Sequence, residues 1–152
     1  MLRKTPVILL IALIGIQFIR PARNLGPTAT STDITHYVQV PDTVMRILQV
    51  SCYDCHSNNT VYPWYTNINP VGLWMRSHIN DGKRGINFSD LSMFDKRKLD
   101  HRLGDIGEEI EKDEMPLTSY TLIHTRARLS SGQVQLIKAW TETARKEAGY
   151  QQ

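Results

Sequence analysis

Cysteine is scarce in this chain of 152 residues, which contains only Cys52 and Cys55. Two cysteines cannot build the disulfide framework of a small secreted domain. Because they lie so close together in the sequence, they must act together and locally. The chain also lacks an internal repeat, and no stretch shows a convincing alternation of apolar and polar residues of the kind that predicts strands.

Acidic residues are absent from the first 23 positions, which hold four of the 18 basic residues, namely Arg3, Lys4, Arg20 and Arg23. From residue 24 onward, the chain has 14 basic and 15 acidic residues. The formal net charge of +3 therefore comes from the N-terminal arm. The rest of the chain carries no basic stripe of the kind that nucleic-acid binding requires. We therefore expect no nucleic-acid partner.

Long hydrophobic runs are also missing, apart from one N-terminal run of 13 residues from Val7 to Ile19. That length is short for a spanning helix, which needs about 17–25 residues. The run follows a basic start and has no small-residue cleavage site behind it, so it predicts an uncleaved signal-anchor helix over residues 1–23. A cleaved signal peptide is the alternative. In either case we expect export, and an uncleaved segment would tether the protein to a membrane.

The remaining composition, 41% hydrophobic and 22% charged, is typical of one globular domain. Residues 24–35 are rich in Gly, Pro, Ser and Thr and predict a flexible linker. Residues 36–148 then form the domain.

Helical patterns recur through this domain. One begins at Asp42 and runs into Cys52, a second covers residues 71–80, and a third lies within residues 94–112. Asp81 and Gly82 are expected to end the second helix. The last helix follows Ser130, whose spacing from Gln133 is that of a capping box, and Gly149 lies past its end. The predicted fold class is all-α with long loops, preceded by the hydrophobic anchor helix.

The chemistry of the chain centres on Cys52-Tyr53-Asp54-Cys55-His56, a C-x-x-C-H sequence. This is the attachment motif of c-type haem, in which two thiols add to the two vinyl groups and the histidine ligates the iron. A thioredoxin-type C-x-x-C would need a βαβ pattern, and a zinc site would need four nitrogen or sulfur ligands. A strained local disulfide is a further alternative. With an export segment in the same chain, covalent haem c, one per chain, is the favoured prediction, with the haem domain outside the cytoplasm.

The sixth ligand of the iron is the next question, because Met/His and bis-His pairs both occur in haem proteins. Met115 precedes Pro116 in a stretch between two helical patterns, and its strongly polar neighbours argue against a core methionine. We predict Met115 as the distal ligand. The competing residues are the other methionines and histidines of the domain, namely Met75, Met93, His78, His101 and His124.

Several blocks of the sequence carry a resemblance to a known family. They are the C-x-x-C-H motif, Leu73 to Ile79, Asp81 to Ser89 and Met115 to Tyr120. Together they resemble the haem-binding domain family of small, membrane-anchored bacterial c-type cytochromes, and more broadly the class I cytochrome c arrangement. The resemblance covers about residues 40–145 and implies a bacterial inner-membrane location with the haem domain facing the periplasm.

The resemblance also implies roles for individual residues. Cys52 and Cys55 would form the thioethers, His56 the proximal ligand and Met115 the distal ligand. Pro70 matches the proline whose carbonyl accepts the Nδ1–H of the proximal histidine in cytochromes c, a bond that fixes the imidazole tautomer. Among the nearby aromatic residues, Trp64 and Trp74 are expected to wall the haem.

The predicted function is electron transfer by a membrane-tethered mono-haem cytochrome that exchanges single electrons with redox partner proteins outside the cytoplasm. The chain is then more an electron carrier than an enzyme. A peroxidase-like haem enzyme and a sensor of diatomic ligands, both with a labile sixth ligand, are the alternatives.

Overall fold

The computed structural model describes residues 4–149 of the chain, and the part it describes is helical. Between these residues there is no strand, and the only extended pairing is an isolated bridge between Leu25 and Asn59. The α-helices are α1 (Thr5–Ile16), α2 (Asp42–Ser51), α3 (Tyr53–His56), α4 (Val71–Gly85), α5 (Lys96–Glu111), α6 (Thr118–Thr121) and α7 (Ser131–Ala148). Short 3-10 helices lie at Ile34–His36, Trp64–Asn67 and Thr125–Ala127. The all-α prediction is confirmed for this part of the chain.

The pair α5 and α7 forms the largest helix contact of the domain. Apolar side chains recur every three or four residues on both helices, so each presents one continuous apolar face to the other. The buried members are Leu99, Leu103 and Ile110 on α5 and Ile137, Trp140, Ala144 and Ala148 on α7. Helix α2 completes this core with Val44, Ile47 and Leu48.

The ends of α7 agree with the sequence-based prediction. Ser130 and Gln133 form both hydrogen bonds of a capping box. At the other end Gly149 adopts a left-handed conformation with φ 71°, which glycine reaches without steric cost. The helix therefore begins and ends where its own side chains satisfy its free backbone groups.

Helix α4 is longer than the sequence predicts. Asp81 and Gly82 were expected to end it, but the helix continues to Gly85. Gly82 lies inside the helix and faces the backbone of α3, where a side chain would collide. The predicted helix end was wrong because this glycine permits close packing of α4 on α3 and does not terminate α4.

The segment 24–35 differs from the flexible linker that its composition predicts. Its side chains bond to the domain: the Asn24 Nδ2 donates to the Ser57 carbonyl at 2.8 Å, and the Thr30 hydroxyl donates to the Ser89 carbonyl at 2.6 Å. Ile34 is fully buried in the core. The polar residues that predicted a linker instead form hydrogen bonds to main-chain groups of two loops. Without these bonds, the main-chain groups would need water as a partner.

Helix α1 lies outside this core. Its large apolar side chains from Val7 to Ile14 are each more than half exposed, and Ile16 is partly buried. Arg3, part of the predicted basic start, lies outside the described residues. Over residues 4–149, no helix combines the length and the hydropathy needed to cross a bilayer.

Candidate functional site

The C-x-x-C-H motif lines a cavity of about 350 Å³. Helix α2 ends at Ser51, directly before Cys52, and the single turn of α3 carries the chain through Cys55 to His56. All three side chains line the cavity, whose other walls come from α4, α5 and the segment after α5. The volume and the mostly apolar lining are those of a pocket for a small organic ligand or cofactor.

The two cysteines are free thiols. Burial raises the pKa of the Cys52 thiol to about 12, with a smaller contribution from Cys55. Burial also raises the pKa of Cys55 to about 11, and the nearby Asp54 carboxylate adds to this effect. Because disulfide exchange proceeds through the thiolate, two protonated thiols resist disulfide formation. The site thus presents two unpaired thiols to the cavity.

His56 is oriented by a backbone carbonyl. Its Nδ1 lies 3.1 Å from the carbonyl oxygen of Ile86, directly after α4. With Nδ1–H donating to that oxygen, Nε2 carries the lone pair that a metal needs. Burial lowers the pKa of His56 and outweighs the opposing hydrogen bonds, which favours the neutral, ligating form.

The expected role of Pro70 is therefore filled by another residue. Pro70 lies at the start of α4, whereas the acceptor Ile86 lies past its end. The two positions are separated by the whole helix. It is the far end of α4 that passes next to His56, so the assignment of Pro70 as acceptor is corrected to Ile86.

Gly82 explains how α4 reaches this position. A Cβ added at Gly82 would lie 2.8 Å from the Cys55 carbonyl oxygen, closer than real Cβ contacts allow. The absence of a side chain lets the helix touch the motif, and Ile86, one turn later, then meets His56. Sequence reasoning gave neither residue this role: Gly82 was assigned to the helix end, and Ile86 was noted only as part of the block Asp81 to Ser89 that carries the family resemblance.

Of the candidate sixth ligands, Met115 and His78 line the cavity. His78 contributes a buried Nε2 that has no hydrogen-bond partner among the described residues. The other candidates lie elsewhere. Met93 is 83% exposed, and His101 pairs with Asp105 on the surface. His124 bonds to the Tyr65 hydroxyl at 2.6 Å.

The segment that carries Met115 is tied to the motif by one side-chain bond. The Tyr120 hydroxyl donates to the Asp54 carboxylate at 2.7 Å, and Asp54 lies between the two cysteines. Burial, followed by this hydrogen bond, raises the pKa of Tyr120, so the hydroxyl stays a donor at neutral pH. No sequence pattern pointed to this pair.

Trp64 and Trp74 do not wall the cavity as expected. Trp64 is 74% exposed and Trp74 is 51% exposed. Trp74 lies in the first turn of α4, about 12 Å along the helix axis from Gly82. The aromatic side chains that do line the cavity are Phe88, which is buried, and Tyr120.

The alternative uses of the motif find little support. Among residues 4–149 no group of three or more His, Cys, Asp or Glu side chains is arranged to hold a metal ion by itself. A haem fits the donor set better: two free thiols, an oriented imidazole, a thioether and an unpartnered buried imidazole nitrogen surround one apolar cavity.

Comparison with known proteins agrees with this fit. The model of a family described as haem-binding domain matches residues 11–143, which include every residue of the site. No curated protein and no solved structure matches the chain. The chain therefore belongs to the haem-binding domain family.

Proposed function

We propose that this haem protein is a mono-haem c-type cytochrome that carries single electrons outside the cytoplasm. Cys52 and Cys55 would hold the haem as thioethers, with His56 as proximal ligand and Met115 as distal ligand. The observation that carries the proposal is that these four side chains, from two separate parts of the chain, line one cavity. The bound haem supplies the redox chemistry, and the protein supplies ligands, burial and electrostatics.

Covalent attachment is supported by the state of the two cysteines. Both are free, and both face the cavity beside the oriented His56. We expect acidified organic solvent to leave the haem on the wild-type protein and to extract it from the Cys52→Ala, Cys55→Ala double variant. Extraction from the wild type would show that the haem is not covalently bound.

Met115 is favoured over His78 because of the elements that carry them. His78 lies on α4, one turn before Gly82, and α4 is the helix that packs against the motif and supplies the acceptor for His56. Met115 comes from the segment after α5, a different wall of the cavity. A second ligand to the iron would come more readily from a wall that does not also support His56.

The electron-carrier function competes with a peroxidase-like enzyme and with a sensor. Arg102, a cation at the cavity, forms an ion pair with Asp105 at 2.9 Å. An optical spectrum of the haem-loaded protein separates the three. A methionine–iron charge-transfer band at the red edge in the ferric state supports the carrier. A five-coordinate, high-spin spectrum contradicts it and favours the enzyme or the sensor.

We also propose that residues 1–23 tether the protein to the bacterial inner membrane, with the haem domain in the periplasm, where it meets its redox partner proteins. The support is an apolar and exposed α1 followed by Arg20 and Arg23, with no acidic residue in this stretch. The mass of protein purified from membranes should include residues 1–23. A mature N-terminus near Asn24 would show a cleaved signal instead.

A further inference from the structure

Two stretches of the chain contain no acidic residue, residues 1–32 and residues 57–80. All 15 aspartates and glutamates lie outside them. The two stretches meet in space, because the residues just after α1 bond to the loop before α4. The junction of these two stretches therefore carries Arg20 and Arg23 and no acidic residue from either stretch.

The junction is made by Gln17 and Asn69, which bond reciprocally. The Gln17 Nε2 donates to the Asn69 carbonyl at 2.8 Å, and the Asn69 N–H donates to the Gln17 Oε1 at 3.0 Å. The Asn69 Nδ2 also donates to the carbonyls of Ile16 and Ile19 at the end of α1. Asn69 is only 2% exposed. Such a satisfied buried amide fixes the helix on the domain instead of leaving it on a loose tether.

Exposed apolar side chains surround this junction. Next to Gln17 lies Phe18, which is 82% exposed. Four more lie within five residues of Asn69: Trp64, Ile68, Val71 and Trp74, with exposed fractions of 74%, 47%, 39% and 51%. We call these five residues the collar. Exposed apolar groups that cluster in this way mark a surface that contacts a protein or a membrane.

We propose that the collar lies on the surface of the anionic bilayer that α1 enters, so that the haem domain is held in one orientation to the membrane. This inference rests on the proposed membrane tether and adds the face of the domain that touches the lipid. Tryptophan is enriched at the bilayer interface, where its ring is apolar and its N–H reaches polar groups. Arg20 and Arg23, beside the collar, would meet anionic headgroups.

A bilayer accounts for the surface better than a second copy of the chain does. Helix α1 is apolar on every side, whereas a helix that packs on one protein partner needs an apolar stripe on one side only. The collar continues from the end of α1 and lies beside Arg20, which donates to the Asn67 carbonyl, and Arg23. A copy docked on this face would bury these arginines against a surface without an acidic residue in the collar, and such a contact is electrostatically unfavourable.

The test is carbene labelling of the full-length, haem-loaded protein in vesicles of phosphatidylglycerol and phosphatidylcholine. A lipid-soluble photoactivatable diazirine labels residues that touch the hydrocarbon or the interface, and mass spectrometry locates the adducts. We expect adducts in α1 and in the collar residues 64–74 at several-fold the level found at Met93. Met93 is the internal control because it is 83% exposed but belongs to neither α1 nor the collar.

The outcomes separate the two proposals. Adducts in α1 with collar labelling at the Met93 level would overturn the collar and leave the tether intact. Absence of adducts from α1 would contradict the tether itself. A collar protected from label in protein that cross-links as a dimer would assign it to a second copy and overturn the bilayer proposal.

Variants sharpen the result. Replacing both collar tryptophans, Trp64→Gln with Trp74→Gln, should lower labelling of Ile68 and Val71 several-fold while α1 stays labelled. The matched control Met93→Gln also removes an exposed apolar side chain and should change nothing. Equal labelling of Ile68 and Val71 in the double variant and in wild type would contradict a bilayer contact through the tryptophans.

Discussion

The two walls of the cavity that offer iron ligands are built in different ways. The motif side is held by main-chain groups of the segment after α4: the Phe88 N–H donates to the His56 carbonyl at 2.8 Å, and the Ile86 carbonyl lies 3.1 Å from the His56 imidazole Nδ1. The Met115 side reaches the motif through a side chain, the bond from Tyr120 to Asp54. Main-chain contacts depend on how closely helices approach, whereas a side-chain bond can be removed without moving the backbone.

This difference predicts two kinds of mutational effect. A substitution that pushes α4 away from the motif should disturb the placement of His56 and with it haem attachment. A substitution on the Met115 side should leave the haem attached and alter the ligation of the iron.

The largest effect is expected for Gly82→Ala. The added Cβ would meet the Cys55 carbonyl oxygen at 2.8 Å, and because this neighbour is backbone, α4 or α3 must move. Overpacking of this kind costs about 1–3 kcal/mol of unfolding free energy. We expect a lower melting temperature and a smaller fraction of protein with covalent haem, measured by mass spectrometry.

Gly132→Ala in the first turn of α7 is the control, because a Cβ there meets nothing within 4 Å. It should be neutral or slightly stabilising, since alanine favours helix over glycine. Equal haem loading of Gly82→Ala and Gly132→Ala would show that the close approach of α4 does not matter.

A smaller effect is expected for Tyr120→Phe, which removes only the hydroxyl that donates to Asp54. The lost bond is worth roughly 1–2 kcal/mol. Haem should stay attached, while the segment with Met115 loosens and carbon monoxide binds the reduced iron faster. Flash photolysis measures this rate.

Tyr62→Phe is the matched control, because its hydroxyl accepts from the Asn24 N–H, away from the cavity. Its carbon monoxide binding should equal that of wild type. If Tyr120→Phe behaved in the same way, the Tyr120–Asp54 bond would have no part in holding the Met115 segment.

The smallest effect is expected for Asp100→Asn, between α5 and α7. The Arg145 guanidinium donates to the Asp100 carboxylate at 2.8 and 3.1 Å, and this hydrogen bonding lowers the pKa of Asp100. A lowered carboxyl pKa stabilises the fold above the unfolded pKa of about 3.9, and the gain is lost as the pH falls through the folded value. Because Arg145 is partly exposed, the variant should lose less than about 1 kcal/mol at pH 7.

Melting temperatures recorded from pH 7 to pH 3 test this prediction. The gap between wild type and Asp100→Asn should close at the acid end, and haem attachment should be unchanged at pH 7. A gap that stays constant down to pH 3 would show that the charge of Asp100 is not the source of the stability.

The helical core could be predicted from the sequence because the patterns that indicate helices and their ends each lie within one short segment. The apolar spacing of α5 and the capping box at Ser130 are read within one segment, and both are confirmed. The spacing of the motif likewise identifies Cys52, Cys55 and His56 as candidate haem-binding residues. The family match agrees with the haem that the motif predicts.

The rest of the site depends on contacts between distant segments that leave no pattern. Any residue has a carbonyl, so nothing in the sequence marks Ile86 as the partner of His56. The tryptophans were assigned to the cavity because they lie near the motif in sequence, but both are more than half exposed and neither lines the cavity. Residues 24–35 were predicted to be a linker because the amino-acid composition of a segment that bonds to loops does not differ from that of a segment exposed to solvent.

The assignment of Met115 as distal ligand is the central claim, and optical spectra of Met115→Ala and His78→Ala, recorded side by side, test it most directly. Met115→Ala should lose the red-edge charge-transfer band, shift toward high spin and bind carbon monoxide. His78→Ala should keep the wild-type spectrum. An unperturbed Met115→Ala, together with a changed His78→Ala, would contradict the account and assign the iron to two histidines.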